Sequence, residues 1–210
     1  SIRLGCVRER ATGLFRGKIP SRYTREDRRE GVKLISQMFA RAGVTSVHDA
    51  QGAPDDLRAY QDAFEAGNLR VRVYCLINYA HIDKMIAAGI RTGLGNEWVR
   101  VGAMKLVCDG SISERTARLS QPYVGRPKDF GILVAGEEEL YGYARKAHEA
   151  GWQIGTHANG DVGIDLAAQA GDVVFQAFCH LLQRVLAEVY AKEVLLPGQL
   201  LAVVGLGHVR

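Results

Sequence analysis

Cysteine is scarce in this chain of 210 residues: Cys6, Cys75, Cys108 and Cys179 are widely spaced, and no two form a CxxC pair. That excludes a dense disulfide framework and points to a reducing, cytoplasmic setting. Long apolar runs are lacking as well. The longest uncharged stretch, Val194 to Val209, is interrupted by Pro197 and several glycines, and the opening SIRLGCVRER has no signal-peptide core. Neither export nor membrane spanning is expected. Nor is there a large excess of one charge. The net charge is +4, and the densest basic cluster, Arg22, Arg25, Arg28 and Arg29, is interleaved with Glu26, Asp27 and Glu30. Such alternation marks a solvated helix face, so nucleic acid is not an expected partner. What remains, with 47% hydrophobic residues, is a globular chain long enough for one sizeable core.

A phrase recurs where helical segments end: Arg41-Ala42-Gly43-Val44, Glu65-Ala66-Gly67, Ala87-Ala88-Gly89-Ile90 and Glu149-Ala150-Gly151-Trp152. Each glycine stands where a helix C-terminus takes a left-handed residue. Ahead of them run apolar stripes at helical spacing: Val32, Ile35, Met38, Phe39 and Ala42; Leu57, Tyr60 and Phe64; Ile82, Met85 and Ile86; Leu140, Tyr143, Ala144 and Ala147. Thr24, with Asp27 in the first turn, is suited to cap the first helix, over roughly 24–42. Between the helices lie β-rich runs at 44–48, 69–77, 98–108 and 152–157. This alternation predicts an α/β fold of about four parallel strands with covering helices. Ligand sites in such folds gather at the carboxyl ends of the strands. Those ends read His48-Asp49, Asn78-Tyr79, Cys108-Asp109-Gly110 and His157-Ala158-Asn159-Gly160-Asp161. The connection from Gly110 to about Gly136 is long for a βα loop and carries Arg115 and Tyr123, which suggests a lid or substrate wall.

Two residues on that rim call for an explanation. Simple strand alternation puts Lys105 on one face with Val99, Val101, Ala103, Val107 and Asp109. A lysine among apolar neighbours needs a partner or a chemical role. A salt bridge, for instance to Asp109, satisfies the first; a neutral, reactive amine satisfies the second. His157 ends the last strand on a face shared with Gln153 and Gly155, where the glycine clears space beside the imidazole. It is either a structural histidine or a metal ligand. His48 is weighed between a hydrogen-bonded structural role and substrate contact. Asp49 is expected to cap its loop, Asp109 to serve the turn after its strand or contact substrate, and Asp161 to cap a helix beginning near Val162.

The segments GVTSVHDA (43–50), VGAMKLVCDGSISERTARLSQPY (101–123) and GWQIGTHANGD (151–161) resemble the formamide-deformylase-like third branch of the amidohydrolase superfamily in words, order and spacing. The resemblance implies a partial TIM-like (β/α) barrel over residues 1–170 and hydrolysis of non-peptide carbon–nitrogen bonds in a small-molecule substrate. It places Lys105, as a carbamylated lysine, and His157 on a divalent metal, with zinc expected and one or two ions in the complete protein. Asp109, Arg115, Tyr123 and His48 are then the candidate substrate contacts. A neutral lysine can take up carbon dioxide and become an anionic oxygen ligand, and zinc lowers the pKa of its water to about 7.

Other family features have no counterpart. The first-strand His-x-His pair, the sixth-strand histidine and the eighth-strand aspartate are missing, and His180 and His208 are poor substitutes. Residues 171–210 do not resemble the family; they are expected to be helical at first and irregular later. A truncated or frame-shifted reading of a longer gene would produce this pattern, with possible self-association. Two other readings stay open: a lyase using Lys105 as a Schiff base, and a non-catalytic remnant.

Overall fold

The structure is a computed structural model that describes Lys18 and residues 23–171. The first helix, α1 (Arg25–Arg41), starts from a reciprocal cap: Thr24 Oγ1 accepts from Asp27 N at 3.1 Å, and Asp27 Oδ2 accepts from Thr24 N at 2.8 Å. Then come β1 (Ser46–Gly52), α2 (Pro54–Glu65), β2 (Arg72–Asn78), a 3-10 turn at Tyr79–His81, α3 (Ile82–Ala87), β3 (Val99–Val107), α4 (Glu137–Glu149) and β4 (Ile154–His157). A further helical segment opens at 161. The glycine phrase works as the sequence suggests, with Gly67 at φ 66° and Gly151 at φ 79° reversing the chain after α2 and α4.

All strand pairings are parallel, in the order β1-β2-β3-β4. Four parallel strands, each followed by helix, make a partial TIM-like (β/α) barrel. The helix-facing side of the sheet carries Val73, Cys75, Ile77, Val99, Val101, Met104 and Leu106, all buried. Facing them are Ala59 and Ala63 of α2 and Leu140, Ala144 and Ala147 of α4. Each branched side chain buried here contributes roughly 1.5–3 kcal/mol.

Register decides what the other face holds, and it departs from simple alternation. Cys75 pairs with Val101, but Ile77 pairs with Met104, so three steps on β3 oppose two on β2. This bulge reverses the parity of β3 midway. Val99 and Val101 therefore point toward the helices with Val73 and Cys75. Lys105, in register with Asn78 and Gly155, points to the inner face instead. The expectation that Lys105 shares a face with Val99 and Val101 is corrected accordingly. A matching bulge lies in β1, where Asp49 pairs with Cys75 and Gly52 with Ile77. It carries β1 beyond His48, the end expected for this strand, and on to Gly52.

Ser36 is the buried residue of helix α1, accepting from Arg70 N and donating to the carbonyl of Asn68, both at 3.3 Å. Its basic residues do more than face solvent. Arg25 reaches Asp62 at 2.6 Å and Arg28 reaches Asp56 at 2.9 Å, tying α1 to α2, while Arg29 pairs with Glu26 within the helix. An apolar gap of about 430 Å3, lined by Val32, Ile35, Phe39, Val47, Val71 and Val73, remains under the helix. The described residues up to Ala170 form one compact unit. The helix expected after Val173, together with Arg22, Cys6, Cys179, His180 and His208, lies outside the described residues.

Candidate functional site

The inner face of the sheet is polar along its carboxyl end. Tyr74 stacks obliquely on His48, with ring centroids 5.0 Å apart, and its hydroxyl donates to Gln153 Oε1 at 2.8 Å. Two layers higher Asn78 Nδ2 donates to Gln51 Oε1 at 2.5 Å. Lys105 stands beside Asn78 on one neighbouring strand and Gly155 on the other, and Val107 is in register with His157. The two expected metal residues thus lie one inward step apart on adjacent strands. A Cβ at Gly155 would lie 3.1 Å from Leu76 Cδ2 and 3.6 Å from Ala103 Cβ, so the missing side chain lets Leu76 and Ala103 pack against the strand beside Lys105.

Lys105 is half-buried and forms no ion pair or hydrogen bond with the described residues. Burial pushes its ammonium below the ordinary lysine value, with the nearby Cys108 thiol acting weakly the other way. The salt bridge to Asp109 is not made. Asp109 is completely buried, and its carboxylate accepts from three backbone amides: Arg118 N at 2.9 Å, Asn159 N at 2.9 Å and Gly160 N at 2.7 Å. Its oxygens are thus spent on backbone N–H groups of the two loops that flank the rim.

His157 Nε2 lies 3.0 Å from the carbonyl oxygen of Gly110, to which Asn159 Nδ2 also donates at 3.0 Å. No described residue partners its Nδ1. Asn159 was not singled out from the sequence, although its position two residues beyond a strand-end histidine is the signal that points to it. The long loop is pinned, not loose. Tyr123 spends its hydroxyl on the carbonyl of Ala117 at 2.9 Å, and Ser120 donates to Asp161 from its backbone N at 2.9 Å and from its hydroxyl. Asp161, the first residue of its helix, therefore holds the loop in addition to standing at a helix start. Arg115 is exposed in the turn at 112–115 that opens the loop, with φ 57°, a left-handed backbone uncommon for a side chain of that size. His48 is exposed on the inner face, held by its ring contact with Tyr74. Asp49 points to the helix side, where it accepts from Tyr60 Oη at 2.8 Å and caps its own loop at Gln51 N, 3.1 Å away.

A divalent metal fits this rim in part. Lys105, without an ion-pair partner and depressed in pKa, and His157, with a ring nitrogen without a partner, are the residues that could hold it. Among the described residues no group of three or more His, Cys, Asp or Glu side chains is arranged to hold an ion. These residues supply two positions of a coordination shell, and Asp109 is already engaged.

Known proteins resemble this chain in sequence and in fold. YtcJ of Bacillus subtilis (strain 168), whose name assigns it provisionally to the amidohydrolases, is 32% identical over 114 residues, covering 54% of this chain and 21% of YtcJ. The protein LONG AFTER FAR-RED 3 of Arabidopsis thaliana is 25% identical over 152 residues, covering 67% of this chain and 26% of that protein. Two crystal structures of uncharacterized metal-dependent hydrolases superpose on it. The Pyrococcus horikoshii OT3 protein does so with TM-score 0.69 and 30% identity over 79% of this chain and 34% of its own. The Pyrococcus furiosus protein does so with TM-score 0.71 and 27% identity over 80% and 36%. The chain thus spans about a fifth to a third of the length of these relatives. With the amidohydrolase family model matching residues 3–180, over strands whose carboxyl ends carry Lys105 and His157, the chain belongs to the amidohydrolase family.

Proposed function

We propose that this chain carries the Lys105 and His157 portion of the metal site of a hydrolase acting on non-peptide carbon–nitrogen bonds, with N-formyl and related N-acyl amines as substrate class. One observation carries the reading: Lys105 is half-buried, depressed in pKa and without an ion-pair partner, one inward step from His157 on the adjacent strand. Its neutral nitrogen attacks the carbon of carbon dioxide; a C–N bond forms, one C–O electron pair moves onto oxygen, and the nitrogen's proton passes to solvent. The product is a carboxylate-like side chain on the inner face of the sheet. Lys105, as carbamate, and His157 would hold the metal, for which zinc suits a nitrogen and oxygen donor set. When bound, the ion supplies Lewis acidity toward the substrate carbonyl and toward a water nucleophile. The protein's own contribution would be to fix the histidine ring through Gly110 and to wall the site with the 110–136 loop, from which exposed Arg115 would meet an anionic substrate group. His48 and Tyr74 line the inner face below. The free, buried thiols Cys75 and Cys108 accord with a reducing, cytoplasmic compartment.

Carbon-13 bicarbonate NMR of the chain with zinc tests this. A carbamate carbon signal is expected in the unmodified protein and absent in Lys105→Arg, with zinc affinity at least about tenfold weaker in Lys105→Ala and His157→Ala. Zinc binding indifferent to both substitutions, or a carbamate signal surviving in Lys105→Arg, ends the proposal. The same depressed pKa also favours Schiff-base chemistry, so borohydride trapping of Lys105 by a carbonyl compound, in place of carbamate, would move the assignment to a lyase.

A further inference from the structure

Asp109 is the one carboxylate among the described residues that is completely buried, and it bonds to no side chain. A buried charge of this kind is tolerated because backbone N–H groups converge on it, and these three come from two different loops. Arg118 belongs to the long connection after β3; Asn159 and Gly160 belong to the turn after β4. Glycines make the approach possible. A Cβ at Gly160 would sit 1.9 Å from the carbonyl oxygen of Arg118, and one at Gly163 would sit 2.6 Å from Asp109 Oδ2. The first would require the backbone to move, and the second would displace the Asp109 carboxylate. The run His157-Ala-Asn-Gly-Asp-Val-Gly163 is thus shaped to wrap Asp109.

The consequence falls on His157. Clamping both loops sets the carbonyl of Gly110 against His157 Nε2 and Asn159 Nδ2, each 3.0 Å away, while the two nitrogens lie 3.2 Å from each other. Were Nε2 the unprotonated nitrogen, its lone pair would face a carbonyl lone pair at that distance. The favourable arrangement has Nε2 protonated and donating, with Gly110 accepting from both neighbours. Asp109 Oδ1, 3.9 Å from Nε2, adds negative potential on the side of that proton.

We infer that Asp109 is a positioning residue for His157: by clamping the two rim loops together it fixes the imidazole as the Nε2–H tautomer and leaves Nδ1 as the nitrogen free to take a ligand. The consequence for metal affinity rests on the metal role proposed above; the tautomer does not.

The test is nitrogen-15 NMR of the full chain, labelled at histidine and free of added metal, in mildly alkaline buffer where imidazole is neutral, with His157→Asn assigning the signal. The unmodified protein should show His157 as Nε2–H. Asp109→Asn, which turns one acceptor into a donor facing backbone N–H groups, should mix or reverse the tautomer. Gly163→Ala keeps the carboxylate but displaces it, and should do the same where Asp109→Asn does not fold. Cobalt affinity should fall by about tenfold or more in both variants. Asp161→Asn, which loosens the other clamp on the same loops at Ser120, should leave the tautomer unchanged. An Nδ1–H form in the unmodified protein, unaltered tautomers in folded Asp109→Asn and Gly163→Ala, or an equal change in Asp161→Asn would each overturn the inference. If the tautomers come out as expected but the chain binds no cobalt, the metal reading fails and the positioning role stands.

Discussion

Lys105 and Asp109 lie four residues apart at one strand end with opposite formal charges, and they do not meet. The carboxylate is more strongly held by three backbone N–H donors, which approach it without side-chain entropy loss, than it would be by one long flexible amine. Lys105 is left to solve its desolvation by losing its proton or by modification. The nearby thiols are in the opposite position. Burial is the chief reason Cys75 is pushed up to about 12 and Cys108 to about 11, with Asp49 and Asp109 adding repulsion. At neutral pH on the order of one Cys108 thiol in ten thousand is ionised, so neither is a nucleophile. Iodoacetamide followed by peptide mapping should leave both unmodified in the folded chain and modify both in denaturant; rapid labelling of either in the native state would contradict this.

Among elements, the long connection after β3 shows how carboxylates replace secondary structure. It is held at two points, Asp109 gripping Arg118 and Asp161 gripping Ser120, with Tyr123 closing the loop on Ala117. A loop so anchored is held to the strand ends by carboxylates rather than by secondary structure of its own. Asp161 gives the anchoring a pH dependence. The Ser120 hydroxyl and then its amide hold the Asp161 carboxyl below its ordinary value of 3.8. A folded value below the unfolded one means that the stabilisation is complete above the unfolded value and is lost as pH falls through the folded one. The melting-temperature difference between the unmodified protein and Asp161→Asn should therefore be largest near neutrality and shrink as pH drops below 3.8. A difference independent of pH would show that the carboxylate's charge does not matter there.

At the scale of the molecule, the described sheet ends in two strands, β1 and β4, each paired on one side among the described residues. Thr156 on β4 and much of β1 are exposed, as are the apolar residues Leu34 and Met38 of α1, each at 58%, and Ile164 at 51%. Unpaired parallel edges beside exposed apolar side chains template association. Sedimentation velocity over about 1–100 μM should show the chain passing from monomer to larger species, since micromolar association is the range such open interfaces reach. A single monomer boundary at every concentration would mean that other parts of the chain protect these edges.

Much of this protein is written locally. Thr24 with Asp27, the repeated Ala-Gly helix ends and the apolar stripes of α2 and α4 act over three or four residues, so cap chemistry and periodicity suffice to read them. The alternation of helix and strand then leaves little choice but parallel pairing, which brings Lys105 and His157 to one rim. The inner face was beyond such reading. Its composition depends on two bulges, and a bulge is a property of two paired strands, visible only when Cys75 is matched to Val101 and Ile77 to Met104. Asp109 likewise looks, along the chain, like the partner of Lys105. Its donors Asn159 and Gly160 stand some fifty residues away, and only folding brings their N–H groups close enough to outcompete an ammonium four residues distant. Local sequence determined which residues reach the rim; long-range pairing decided which face each occupies and whose hydrogen bonds it satisfies.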